Sequence, residues 1–251
     1  MKKLISLVAG LAAATLLCVA SVSPSCAATT AFVSGGGSDA NSCTLSAPCR
    51  NIAVALGAAG IGGTVSCLDA GPYTLAYSSN VSYKLDCRGV VYPPAGGFAV
   101  QPSASVVMFR DVIFDGATGG SGAAQITGGR VVFENCTFQN FAASPGQAVL
   151  FAPTVAGAHL TITDSVFANN GISGSGGGIV IQPSGGVTTG VVIERTQVTG
   201  NTYGIVANGS GGTALVEVRY STIANSTLDG IWAYTGGSVT SIVVEDASAT
   251  R

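Results

Sequence analysis

The chain has 251 residues, with ten Lys or Arg and twelve Asp or Glu, and a formal net charge of −2 at pH 7. This weak acidity provides no basic surface of the kind that binds nucleic acid, so we expect no nucleic-acid partner. With 47% hydrophobic residues and only 9% charged residues, the sequence is too apolar for a disordered chain. An ordered protein is predicted.

The first 27 residues have the pattern of a secretory signal peptide. Lys2 and Lys3 precede an apolar run over residues 4–22, and small residues follow as far as Ala27. No later stretch is long and apolar enough to cross a bilayer, so the mature chain is expected to have no membrane span. We therefore expect cleavage after Ala27 and a secreted, periplasmic or cell-surface protein.

Five cysteines follow the predicted signal peptide, and export permits disulfides. Cys43 and Cys49 flank a short loop that a bridge would close. Cys67 and Cys87 hold matching places in two strand-like segments, and stacking of those strands would bring them within bonding range. Cys136 is then left unpaired. The chain has no Cys-x-x-Cys motif and a single histidine, so we expect no structural zinc site.

Residues 28–62 form a predicted entry segment that ends in one short helix. The helix is predicted over residues 51–60, where Ile52 and Leu56 belong to an apolar face. It precedes the first predicted strand, at Thr64. We expect this helix to cover the open end of the strands that follow, because bare strand edges and an apolar cross-section are otherwise exposed.

Residues 63–251 contain a recurring six-residue unit. Successive copies begin 24, 29, 31, 25 and 26 residues apart, which is the spacing of a solenoid. A large apolar residue stands at the first and sixth positions and a small one at the fourth, so two short strands are predicted to meet in a bend at the third position. The copies begin at Phe109, Phe133, Ile162, Ile193, Val218 and Val244.

Two columns of corner residues accompany this unit. Asp and Asn at the bend tolerate left-handed backbone geometry, whereas Arg195 and Tyr220 suit it less well. The bend column contains Asp111, Asn135, Asp164, Arg195, Tyr220 and Asp246. The second column, just past the unit, contains Gly116, Asn140, Asn169, Gly200 and Asn225.

A third strand is predicted in most copies, over residues 148–152, 178–182, 204–208 and 230–234. Three strands in each copy and no helical periodicity predict an all-β coil whose turns stack in parallel, about 4.8 Å apart. A two-sheet sandwich is the alternative, but hairpin turns every 8 to 12 residues would then be expected.

Residues 32–43, 47–50 and 63–73 resemble the entry segment of secreted right-handed parallel β-helix repeat proteins, the pectate-lyase-like superfamily in the broad sense. The resemblance implies a right-handed parallel β-helix with a short N-terminal capping helix over the whole mature chain. It also makes an extracellular polysaccharide the expected ligand class. It does not specify an activity, because this architecture carries many functions.

A first candidate site lies on the outward positions of the repeat. Pectate-lyase-like chemistry requires carboxylates that bind calcium and an arginine that abstracts a proton, and Glu134, Asp164 and Glu194 with Arg195 or Arg219 fit these roles. Alternating charges along stacked strands are equally typical of cross-strand ion pairs, and we favour that interpretation. Hydrolysis is less favoured, since the chain has no Asp-Asp pair and no Gly-His-Gly stretch. We therefore expect no cofactor, with calcium as the alternative if these carboxylates bind a cation.

A second candidate site follows the third strands, whose outward positions form an apolar stripe of Leu150, Val180, Val206 and Trp232, with Tyr234 beside it. An apolar stripe that faces outward is usually shielded from water by another segment or by a ligand. The favoured cover is a loop such as residues 171–177, or the early segment before the helix. The alternative is a sugar ring stacked on Trp232 and Tyr234.

Two functions follow from these patterns. The first is an exported coil that binds, and as an enzyme would cleave, an extracellular polysaccharide or cell-surface glycan. The alternative is a non-enzymatic adhesion or scaffold protein that uses the coil as a rigid spacer. In that case an end-to-end oligomer through the C-terminal end is expected, because no capping segment is predicted there.

Overall fold

The computed structural model describes residues 29–101 and 105–250. They form an all-β solenoid in which every pairing between named strands is parallel, with one short helix near the N-terminus. The all-β coil and its N-terminal helix are confirmed. The predicted signal peptide, residues 1–27, lies outside the described residues.

The strands stack into three faces, which we call the first, second and third face. The first face contains β1 Thr30–Val33, β2 Thr64–Cys67, the first part of β5 Tyr83–Tyr92, the first part of β7 Val106–Asp115, β9 Arg130–Glu134, β12 His159–Thr163, β15 Thr188–Glu194, β18 Thr213–Arg219 and β21 Thr240–Glu245. The second face contains β3 Tyr73–Thr74, the later parts of β5 and β7, β10 Thr137–Gln139, β13 Val166–Ala168, β16 Gln197–Thr199, β19 Thr222–Ala224 and β22 Ser248–Ala249. The third face contains β4 Ser78–Ser79, β6 Phe98–Val100, β8 Ala124–Ile126, β11 Gln147–Phe151, β14 Gly177–Ile181, β17 Ile205–Asn208 and β20 Ile231–Tyr234.

The interior is a column of like side chains on successive turns. Phe114, Phe138 and Phe167 are register partners on the second face and are fully buried. Their ring centroids lie 5.0 Å and 4.4 Å apart, in stacked pairs. Phe109 and Phe133 stack in the same way on the first face, at 5.1 Å. Burial of these rings and of the aliphatic side chains in the same core stabilises the coil, and each aromatic pair adds about 0.5–1.5 kcal/mol.

The predicted bend between the first and second faces is confirmed. All the third-position residues have a left-handed backbone, with φ between 46° and 59°. In the second corner column Asn140, Asn169, Gly200 and Asn225 also have positive φ. Gly116, the first member of this column, does not have a positive φ. There the backbone packs too closely for a side chain, since a Cβ on Gly116 would lie 2.6 Å from the Asn140 carbonyl oxygen.

A buried asparagine ladder supports the turn into the third face, and the sequence patterns did not indicate it. The Asn170 backbone N–H and Nδ2 both donate to Asn201 Oδ1 at 2.9 Å. Asn170 Nδ2 also donates to the Phe138 carbonyl, and Asn201 Nδ2 donates to the Phe167 carbonyl, each at 3.0 Å. The ladder therefore satisfies backbone groups that water cannot reach.

The helix α1, Ile52–Ala59, confirms the predicted N-terminal cap. Asn51 is its N-cap residue, and the side chain accepts a hydrogen bond from the Ala53 N–H at 2.8 Å. Ile52 and Leu56 are buried against β1 and β2. Strand β1 itself was not predicted; it pairs in parallel with β2 and thereby starts the first face.

Both predicted disulfides are present. Cys43–Cys49 closes the entry loop, and Cys67–Cys87 joins neighbouring strands of the first face, each with a Cα–Cα distance of 4.6 Å. Cys136 is free and buried, as predicted. One bridge therefore closes a loop within the entry segment, and the other fixes β2 against β5.

Candidate functional site

The charged candidates on the first face lie in ion pairs between neighbouring strands and bends. Arg195 follows β15, and its Nε and Nη2 atoms lie 2.7 Å and 3.0 Å from the two carboxylate oxygens of Asp164. Arg195 Nη1 also contacts the carboxylate of Glu194. Glu134 accepts from Arg110 Nη2 at 2.9 Å. All three predicted carboxylates thus have an arginine partner.

These ion pairs affect the two roles that the resemblance implies, which are calcium binding by the carboxylates and proton abstraction by an arginine. The hydrogen bonds that Arg195 donates to Asp164 raise the pKa of Arg195, and the hydrogen bond that Arg219 donates to Glu217 raises the pKa of Arg219. A higher pKa makes a guanidinium a poorer base for proton abstraction. The geometry therefore supports the interpretation of surface ion pairs. Arg110–Glu134 and Asp164–Arg195 join neighbouring turns, whereas Glu217–Arg219 lies within β18.

The carboxylates are also poorly placed to share a cation. Glu134 and Glu194 belong to the same outward column but are separated by Thr163, the register partner of both. Two strand spacings place their backbones about 10 Å apart, whereas calcium takes oxygen ligands at about 2.3–2.6 Å. In residues 29–101 and 105–250, no group of three or more His, Cys, Asp or Glu side chains could hold a metal ion.

The histidine, His159, is half-buried on β12 at the edge of a groove of about 510 Å³ on the first face. Burial and the nearby Arg130 both lower the pKa of His159. Exposed Leu215 and Val243 also line this groove, as do the carboxylates Glu217 and Glu245, of which Glu217 pairs with Arg219. Among the described residues of this groove, no nucleophile is hydrogen-bonded to a base.

The second candidate site is a groove of about 260 Å³ on the outer side of the third face. Its floor contains Val180 and Val206, which are only 6% and 7% exposed although they point outward. The loop residues 174–176 form one wall. The predicted loop therefore lies alongside the apolar stripe but leaves Trp232 and Tyr234 43% and 47% exposed.

Three aromatic rings meet at one end of this groove. Tyr203 and Trp232 stack with centroids 5.4 Å apart and an interplanar angle of 23°. Tyr234 lies 6.3 Å from Trp232, tilted by 48°. The structure thus brings the two predicted aromatic residues together and adds Tyr203, which the sequence analysis missed. Tyr203 precedes β17, outside the repeated strand, so the repeat pattern carried no signal for it.

The other polar side chains of the groove are amides and a hydroxyl. Gln147, Gln182, Asn208 and Ser175 line it, and Asn208 Oδ1 accepts a hydrogen bond from the Ser210 N–H at 3.0 Å. Amides both donate and accept hydrogen bonds, so they match ligands that are rich in hydroxyl groups. The rings supply flat apolar faces beside them. The arrangement suits binding of a polyhydroxylated ring compound.

Comparison with known proteins gives one match. Residues 91–246 match the model of a family described as right-handed beta helix region. No curated protein and no solved structure matches the chain. Within the part of the chain that the structure describes, no helix has the length and apolarity needed to cross a membrane.

Proposed function

Because the chain belongs to the right-handed β-helix family, whose stacked strands form a rigid surface, we propose that this protein binds an extracellular polysaccharide in the groove of its third face. The observation that carries the proposal is the cluster of Tyr203, Trp232 and Tyr234 beside an amide-lined groove. Aromatic rings contact the apolar faces of pyranoses, and the amides bond to their hydroxyl groups.

The groove supports binding without bond cleavage. Apart from the phenol of Tyr203, its lining side chains contain no ionisable group. General acid or base catalysis requires such a group within hydrogen-bond reach of the reacting bond. The arginines that a lyase mechanism would use lie on the first face, in ion pairs with carboxylates.

An extracellular location is part of the proposal. The signal-peptide pattern of residues 1–27 supports export, and two disulfides are typical of proteins that fold outside the reducing cytoplasm. A polysaccharide ligand is available in that compartment.

Affinity electrophoresis tests the proposal. The mature chain, run through gels that contain neutral or acidic polysaccharides, is expected to be retarded by at least one polymer. Trp232→Ala is expected to weaken that binding about tenfold or more, because a buried aromatic contact typically dominates an interface. Tyr220→Asn is the matched control, since it removes an exposed ring from a bend of the first face.

The alternative function is a scaffold or adhesion protein that uses the coil as a rigid spacer. Its support is the pairing of the first-face charges with one another, which leaves them with a structural role. Normal migration of the folded protein through every polysaccharide gel would contradict the binding proposal and favour the spacer.

A further inference from the structure

The groove of the third face continues onto earlier turns of the coil, away from the aromatic cluster. A second groove, of about 170 Å³, is lined by Gln125, Pro145, Gln147 and Leu150 on earlier turns. Gln147 lines both grooves. The two therefore adjoin on one surface, and we refer to them together as the long cleft.

The long cleft crosses the strands instead of following one of them. Its lining residues belong to β8, β11, β14, β17 and β20 and the loops beside them, and these strands are consecutive neighbours in the third face. Four strand spacings of about 4.8 Å make the cleft about 19 Å long. Its axis is the axis of the coil, so a ligand that fills it must be an extended chain.

The long cleft is uncharged along its length. The third-face strands contain no Asp, Glu, Lys or Arg, and neither do the described loops over residues 140–146, 169–176 and 200–204. Asp229, just before β20, is the acidic residue at the aromatic end of the cleft. By contrast, outward positions of the first face hold charged residues on many strands, among them Arg110 and Glu134.

We infer that the long cleft selects an uncharged polysaccharide and binds it along the coil axis; the inference rests on the proposed function. One end of the chain stacks on Tyr203 and Trp232. The rest lies over Leu150 and Val180 and exchanges hydrogen bonds with the cleft amides. An acidic polymer is disfavoured, because its carboxylates would lose hydration without a cation on this face to pair with.

Calorimetry with two oligosaccharide series tests this inference on the full mature chain. One series is neutral (cello-, xylo- and manno-oligosaccharides from disaccharide to hexasaccharide), and the other consists of oligogalacturonates of the same lengths. Affinity is expected to rise with length in a neutral series until the ligand spans about 19 Å. The oligogalacturonates are expected to bind at least about tenfold more weakly.

One glutamine variant and a matched control test whether long ligands reach the end of the cleft opposite the aromatic rings. Gln125→Ala is expected to weaken binding of the longest neutral ligands by roughly three- to tenfold and to leave the disaccharide unaffected, since one hydrogen-bonding side chain is lost at the end that only long ligands reach. Gln197→Ala is the matched control, because Gln197 is exposed on the second face. Gln197→Ala is expected to leave the affinities for the longest neutral ligands and for the disaccharide unchanged.

The results that would contradict the long cleft, the selection of uncharged polymers and the proposed function differ from one another. Binding that Trp232→Ala removes but that does not strengthen with length would overturn the long cleft and leave the proposed function standing. Equal affinity for oligogalacturonates would overturn the selection of uncharged polymers alone. A folded protein that binds neither series and none of the polysaccharides in the gels would contradict both.

Discussion

Single residues at the bends show where the sequence conflicts with the backbone that it must adopt. Asp and Asn are stable with left-handed φ, and they occupy most bends. Arg195 has φ 47°, and its two hydrogen bonds to Asp164 on the preceding turn hold it there. Tyr220 has φ 49° and is 58% exposed, and its side chain makes no hydrogen bond to another described residue. The cost of its conformation is therefore not offset by a visible contact.

Replacement of Tyr220 by asparagine is expected to stabilise the protein. A left-handed backbone costs a bulky L-residue about 1 kcal/mol, and asparagine lowers that cost through its short polar side chain. The Tm measured by calorimetry should rise by about 2–4 °C. Tyr220→Val is the control in the other direction, because a β-branched residue suits positive φ poorly. A lower Tm for Tyr220→Asn would show that the exposed ring has a packing role.

Asp69 is expected to make the entry segment sensitive to acid. The hydroxyl of Tyr73, 2.5 Å away, is the main cause that holds the pKa of Asp69 at about 2, with Ser34 and the Gly35 and Gly71 N–H groups also donating to its carboxylate. Because the folded-state pKa lies below the ordinary value of 3.8, the carboxylate stabilises the fold above about pH 4. This contribution is lost as the pH falls towards 2.

The matched variant is Asp69→Asn, whose Tm should decline less steeply than that of the wild type between pH 5 and pH 2. The measurement is a thermal melt at each pH for both proteins. Parallel declines would contradict a role for this carboxylate in the acid response.

At the scale of elements, the repeat pattern was sufficient to predict the bends and most strands of the later turns. Strand β1 was missed because it precedes the first copy and forms only by pairing with β2, a contact between distant segments. The helix was predicted closely, since an apolar face is a local feature of the sequence. The asparagine ladder was not, because its members repeat only once along the chain.

Ser226 interrupts that ladder and offers a test of it. Ser226 is buried in the column of Phe141, Asn170 and Asn201, and its hydroxyl has no hydrogen-bond partner in the structure. We expect Ser226→Asn to extend the ladder by one turn, with its Oδ1 accepting from Asn201 and its Nδ2 donating to the Val198 carbonyl. The variant should be more stable by about 1 kcal/mol.

Chemical denaturation of both variants at this position tests the ladder. Ser226→Ala is the control and should be close to neutral, because it removes a hydroxyl that has no partner. A destabilised Ser226→Asn variant would indicate that the column is too narrow there for an amide and that overpacking outweighs the new bonds.

The whole molecule separates two kinds of surface on one rigid coil. The first face carries paired charges, and the third face carries an uncharged cleft that ends in aromatic rings. The sequence predicted Trp232 and Tyr234 as neighbours because they lie two residues apart on one strand. It could not reveal Tyr203 or the shared position of Gln147, since both depend on how loops fold over neighbouring turns.

Binding of a polysaccharide at the aromatic end of the third face can be measured directly through Trp232. The chain contains a single tryptophan, so intrinsic tryptophan fluorescence reports on this site. Titration with a neutral polysaccharide that retards the protein is predicted to change the emission of Trp232, with the midpoint found by calorimetry. Binding of that polymer with unchanged emission would place the ligand elsewhere on the molecule and contradict the account.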